Sequence, residues 1–173
     1  IAMASWLQRA ALSQAAHARQ AAAQGELDAQ MLNEAVEALQ AGIDYAGKLQ
    51  NGPDTSLDHL LLAEMRVLQK RFKEALALYD KYLPHAEGDG FLHEVTSARA
   101  DRANCLLQLG EIDAGYAEAV GALRRLDESA PADIRAIVHE NMASALERLD
   151  HRLEAEQHRM MSKIAWETYG HEQ

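Results

Sequence analysis

Residues 71–83, RFKEALALYDKYL, place Leu76, Tyr79 and Leu83 three and four positions apart behind Phe72, the spacing of one face of an α-helix. Just upstream, Leu62, Met65 and Leu68 keep the same spacing, and only Lys70-Arg71 separates the two runs. A turn this short joins two helices as an antiparallel hairpin. Working outward, a shift of 40 residues aligns Ala23, Ala63, Ala103 and Ala143 in one column and Ala35, Ala75, Gly115 and Ala155 in another. Both columns hold only small residues, which two helix axes need if they are to approach to about 8–10 Å.

Larger residues flank these columns, with Leu32, Phe72 and Ile112 at the start of the second helix of each pair and Ile43, Leu83 and Leu123 further along. The fourth repeat carries Arg152 and Lys163 there, so its outer face is expected to be polar, as a terminal repeat requires. Breaks containing Gly or Pro at 51–55, 87–90 and 128–131 separate pairs, and softer turns at 70–71, 109–111 and 149–151 divide them. Helices are predicted at 4–24, 28–50, 55–69, 72–86, 89–109, 112–128, 131–149 and 151–170. Period-two patterning is not sustained anywhere, and 33 alanines against three prolines favour helix throughout. The chain reads as all-α, a single domain over 1–173 with repeats at 4–50, 55–86, 89–128 and 131–170.

Seventeen Lys and Arg against 27 Asp and Glu leave a formal charge of −10, a field that repels phosphate backbones and anionic lipid surfaces. Nucleic acid and membrane are therefore not expected as partners. No run reaches the roughly 20 apolar residues of a membrane-spanning helix. A lone cysteine, Cys105, excludes an internal disulfide and a cysteine-based zinc site, and fits a reducing, cytoplasmic setting. Met3 is expected to be the native first residue.

These residues resemble the tetratricopeptide repeat family, whose pattern runs Trp-x2-Leu-Gly-x2-Tyr, then Ala-x3-Phe, then Pro. His59, Leu62, Ala63, Arg66, Phe72 and the run Ala75-x3-Tyr79 carry the resemblance in the second repeat; Ala103, Leu106, Leu109-Gly110-Glu111, Gly115 and Ala119 carry it in the third. It covers about residues 17–163, with a period of about 40 in place of the family's ~34. The resemblance implies a right-handed superhelix of about four antiparallel helix pairs and a concave groove for a peptide or protein segment.

Placed on that architecture, the groove residues are Leu57, Leu60, Glu64 and Val67 in the second repeat, Asn104 and Leu107 in the third, and Glu140 and Glu147 in the fourth. Such a lining suits a partner with apolar anchors and some basic residues. The expected function is an adaptor or regulator, the alternatives being a small chaperone of the bacterial secretion type or an oligomerisation or sensor module. Trp166 falls about 220° around the last helix from the stripe Leu153, Met160 and Ile164, and is expected to be partly exposed. With Tyr169 it marks an oligomer contact, such as that of a homodimer.

Catalytic chemistry is not expected. His151, Glu154 and His158 share a helix face, but flanking Arg152 and Arg159 oppose a cation and no HExxH or cysteine pair completes a metal shell. Phosphate loops and nucleophile elbows are absent from the sequence. No enzyme activity, metal or cofactor is predicted.

Overall fold

The computed structural model describes residues 2–172. Eight helices follow one another: α1 (Ala2–Gln24), α2 (Ala29–Gly47), α3 (Ser56–Leu68), α4 (Phe72–Gly88), α5 (Leu92–Gln108), α6 (Ile112–Arg124), α7 (Ala132–Arg148) and α8 (Arg152–Glu172). No strand occurs among the described residues, and the fold class is all-α.

The forty-residue period reaches the backbone itself. Lys70, Gly110 and Asp150 each stand in the left-handed region, at φ 60°, 90° and 61°. Behind each, the next N–H reaches back five residues: Arg71 to the Arg66 carbonyl, Glu111 to Leu106 and His151 to Leu146, at 2.8, 2.9 and 2.9 Å. This closing motif satisfies carbonyls that a helix end leaves free, and it reverses the chain in three residues. The first hairpin uses Gly25 at φ 72° instead, followed by Asp28, whose carboxylate accepts the Met31 N–H at 2.8 Å.

Helix ends differ from the expected ones where a local competitor exists. α6 stops at Arg124, four residues short of 128, because Asp127 accepts hydrogen bonds from the Ser129 N–H and hydroxyl at 2.9 and 2.6 Å, a turn that competes with helix. α2 stops at Gly47, and the return that follows needs a glycine at 52, where a Cβ would lie 2.3 Å from the Ala46 carbonyl oxygen.

The chain divides into two compact units, one up to His85 and one from Ala86. In the first, α1 packs on α2 and α2 on α3. Ala11, Ala15 and Ala18 of α1 meet Leu32, Ala35 and Leu39 of α2 and Leu62 and Met65 of α3, with Leu78 of α4 against them. In the second unit, α5 packs on α6 and α7, and α7 on α8. Its core combines Ala103, Leu107, Ala119, Met142, Ala143, Leu146 and Ala155. Each fully buried leucine or methionine contributes about 1.5–3 kcal/mol through loss of apolar surface to water.

Seven of the eight small-column residues are buried; Ala23 is the exposed exception. The reason for smallness is explicit at Gly115, where a Cβ would stand 2.7 Å from Leu107 Cγ and 3.1 Å from the Ala103 carbonyl oxygen. α5 and α6 therefore cross where the two columns meet. Gly115→Val is expected to destabilise the second unit by about 1–3 kcal/mol through overpacking. A melting midpoint several degrees lower in thermal unfolding followed by circular dichroism checks this, and an unchanged midpoint would disprove the crossing.

Candidate protein-binding surface

Residues forty apart stand abreast on neighbouring helices of the second unit. Asn141 of α7 donates to the Asp101 carboxylate of α5 at 3.2 Å, and Arg148 of α7 reaches the Gln108 side-chain carbonyl at 3.5 Å. Asn104, half-buried, accepts from the Gln108 amide at 3.3 Å, and Ser144 is its half-buried counterpart on α7. The α5–α7 face is thus a polar row. Side-chain amides carry both donors and acceptors, as a peptide backbone does.

The eight residues expected to line a groove divide sharply. Leu57, Val67 and Asn104 are half-buried, whereas Leu60 and Leu107 are only 5% and 1% exposed, Leu107 because it fills the space over Gly115. The three carboxylates expected to attract a basic partner are engaged within the chain. Glu64 of α3 accepts two hydrogen bonds from Arg19 of α1, both at 2.7 Å. Glu147 pairs with Arg159 of α8. Glu140 accepts from Trp166, and crowding by the surrounding chain raises its carboxyl above the usual range.

Trp166 is half-buried against the cluster of Ala100, Ala122, Ile137 and Val138, and Tyr169 meets it edge to face at 5.8 Å. The stripe expected on the other side of α8 faces outward: Leu153, Met160 and Ile164 are 84%, 60% and 57% exposed. Arg152 and Lys163 are exposed, as expected of a polar outer face, and this apolar line runs beside them.

Sequence reasoning missed Asp101, Gln108, Asn141 and Arg148. The signal was present, since the shift that aligned the alanines also aligns these two pairs. Choosing the face of the helix that carries them required the neighbouring helix.

Arg19 and Glu64 have side chains only 18% and 11% exposed. Removing one partner of such a pair leaves the other charge desolvated. Arg19→Ala is expected to destabilise the first unit by about 2–4 kcal/mol, and Arg19→Met with Glu64→Leu to recover most of it. Chemical denaturation of the single and double variants measures both; equal losses in the two would contradict the pairing.

A further polar contact joins α7 to α8, where His139 and His158 share one hydrogen bond between their Nδ1 atoms at 2.8 Å. One ring must donate and the other accept, so a doubly protonated pair would oppose two donors. Burial, the His158 charge and Arg135 lower the His139 pKa; burial lowers that of His158 against the pull of Glu154. The unfolded chain therefore binds more protons below about pH 6.5, and stability present above that value is lost as pH falls through the folded-state values. Asp58 and Glu140, both raised by burial, act in the opposite sense at more acid pH. The melting midpoint is expected to fall between about pH 7 and pH 5.5, with a shallower slope in His139→Phe. Identical slopes would exclude the pair as the cause.

Among the described residues, no group of three or more His, Cys, Asp or Glu side chains could hold a metal ion, and no helix is long and apolar enough to cross a membrane. Cys105 is buried.

Helix hairpins repeating every forty residues around small-residue crossings define a tetratricopeptide-like helical repeat. Among solved structures, one named MamA MSR-1 C2 matches over 98% of this chain and 99% of its own, at a TM-score of 0.50 and 17% identity. That likeness is one of fold. No protein-family model matches the chain, and no curated protein does.

Proposed function

We propose that this chain is a protein-interaction module, and that the α5–α7 face of its second unit holds an extended polypeptide segment. The observation that carries the reading is the row of Asn104, Gln108, Ser144 and Arg148, polar side chains at equivalent repeat positions with both hydrogen-bonding senses represented. A segment lying along them exchanges its backbone hydrogen bonds with water for bonds to a prearranged row, which lowers the ordering cost of binding.

The second unit, with nine Lys and Arg against 17 Asp and Glu, carries −8 of the chain's −10 charge. That field draws in a partner with basic residues, even though Glu140 and Glu147 are already engaged. Leu57 and Val67, half-buried on α3, offer apolar contacts of the first unit's own. An adaptor in a reducing cytoplasm is the setting this favours, on the strength of one unbridged cysteine.

A photo-crosslinking side chain placed at Asn104 or Ser144, with Ala117 on exposed α6 as control, tests the assignment in cells. The expected result is one discrete polypeptide adduct from 104 and 144, absent from 117 and reduced at least about tenfold by Arg148→Glu, a loss of about 1.4 kcal/mol. Equal adducts from all three positions, or none from 104 and 144, would remove the α5–α7 face as the binding site.

A further inference from the structure

Positions 153, 160 and 164 have counterparts in the second helix of every repeat. In α2 these are Asn33, Gln40 and Asp44, and in α4 Lys73, Asp80 and Pro84, all exposed. In α6, Asp113 and Arg124 are exposed and Val120 half-buried. The register thus marks an outward line, mostly polar in the first three repeats and wholly apolar at these positions only in the fourth, where Leu153, Met160 and Ile164 are joined by Met161 at 49% exposure. Four large apolar side chains along three turns of one helix, with only Gln157 among them, form an exposed line of the kind that marks an interaction site.

The face onto which a further repeat would stack meets this line at one position only. On α6 that face is Ile112, Tyr116, Val120 and Leu123, packed against the core that includes α7. Forty residues on, the same positions are Arg152, Glu156, Met160 and Lys163, all exposed and three of them charged. In-line stacking would desolvate these charges. The apolar line therefore suits a partner lying alongside α8.

We propose that the occupant is α8 of a second copy of this chain, paired antiparallel about a two-fold axis. The order of residues is self-complementary in that direction. With Leu153 opposite Ile164 of the second copy, Gln157 falls opposite Met160, and Glu156 stands beside Lys163 of the second copy, twice by symmetry. A parallel pairing sets Glu156 and Lys163 near Met161 and Thr168 and makes neither ion pair. The flank is thus locally balanced in charge within a strongly acidic unit. Glu156 also lies 3.7 Å from Arg159 of its own helix, a pair exposed enough to yield. One helix pair of this length buries less than the roughly 1,200 Å² of a standard interface, so the dimer is weak and depends on concentration.

Sedimentation equilibrium of the full chain over a concentration series from about 10 µM to about 1 mM tests the pairing. The expected result is a weight-average mass rising from 19.1 kDa towards twice that value. Leu153→Glu with Ile164→Glu is expected to hold the monomer mass throughout with an unchanged circular dichroism spectrum. Glu156→Lys should weaken association at least about tenfold, and adding Lys163→Glu should restore it to within about threefold. A monomer at every concentration overturns the proposal, as does a dimer that survives the double glutamate variant. Failure of the second charge reversal to restore the first overturns the antiparallel register. Because α5 and α7 contribute nothing to this line, the outcome is independent of the peptide-binding proposal.

Discussion

The close approach of two helix axes at a column of small residues is the constraint on which the rest depends. At Gly115 no room exists for a single methyl group between α6 and the Leu107 side chain of α5. Ala63, Ala103 and Ala143 in first helices and Ala35, Ala75 and Ala155 in second helices are at most 1% exposed. Once backbones approach this closely, the turn between them must reverse the chain in three residues. The left-handed residues at 70, 110 and 150 follow from that requirement, and two of them are not glycine. Their local strain, of order 1 kcal/mol each, is offset by the hairpin packing that the reversal permits.

Apolar packing sets how the hairpins close, while polar contacts set their alignment. A lattice of alanines and leucines is tolerant of small slips along the axis. Asp101 with Asn141 in the second unit and Arg19 with Glu64 in the first tie side chains that must meet at hydrogen-bond distance. A slip of one residue, ~1.5 Å along a helix, would break either contact at buried positions. Beside the Asp101–Asn141 contact, Asn104, Gln108, Ser144 and Arg148 continue the α5–α7 face as a more exposed polar row.

The last helix shows how a repeat protein distributes its surfaces. Charges at 152, 156 and 163 replace the apolar residues that receive the next helix pair in an earlier repeat, and the apolar residues reappear on the outward line. Trp166 of that helix packs on the cluster that includes Ile137 and Val138, and Tyr169 meets its ring edge to face. On α8 the large aliphatic side chains are therefore more exposed than the aromatic ones.

The number of helices, their hairpin pairing and the forty-residue period were legible in the sequence, because each rests on local chemistry: apolar spacing, small columns, and Gly, Pro and Asp at the breaks. Which side of each first helix faces a neighbour was not. Leu60 and Leu107 satisfied a groove pattern and yet are buried, and Glu64 looked free to attract a cation until Arg19, 45 residues away, was placed beside it. A helix presents several faces with similar spacing, and a rotation of one residue, ~100°, exchanges core for surface. Periodicity determines that such faces exist; the helices packed around them decide which is covered and which remains to meet a partner.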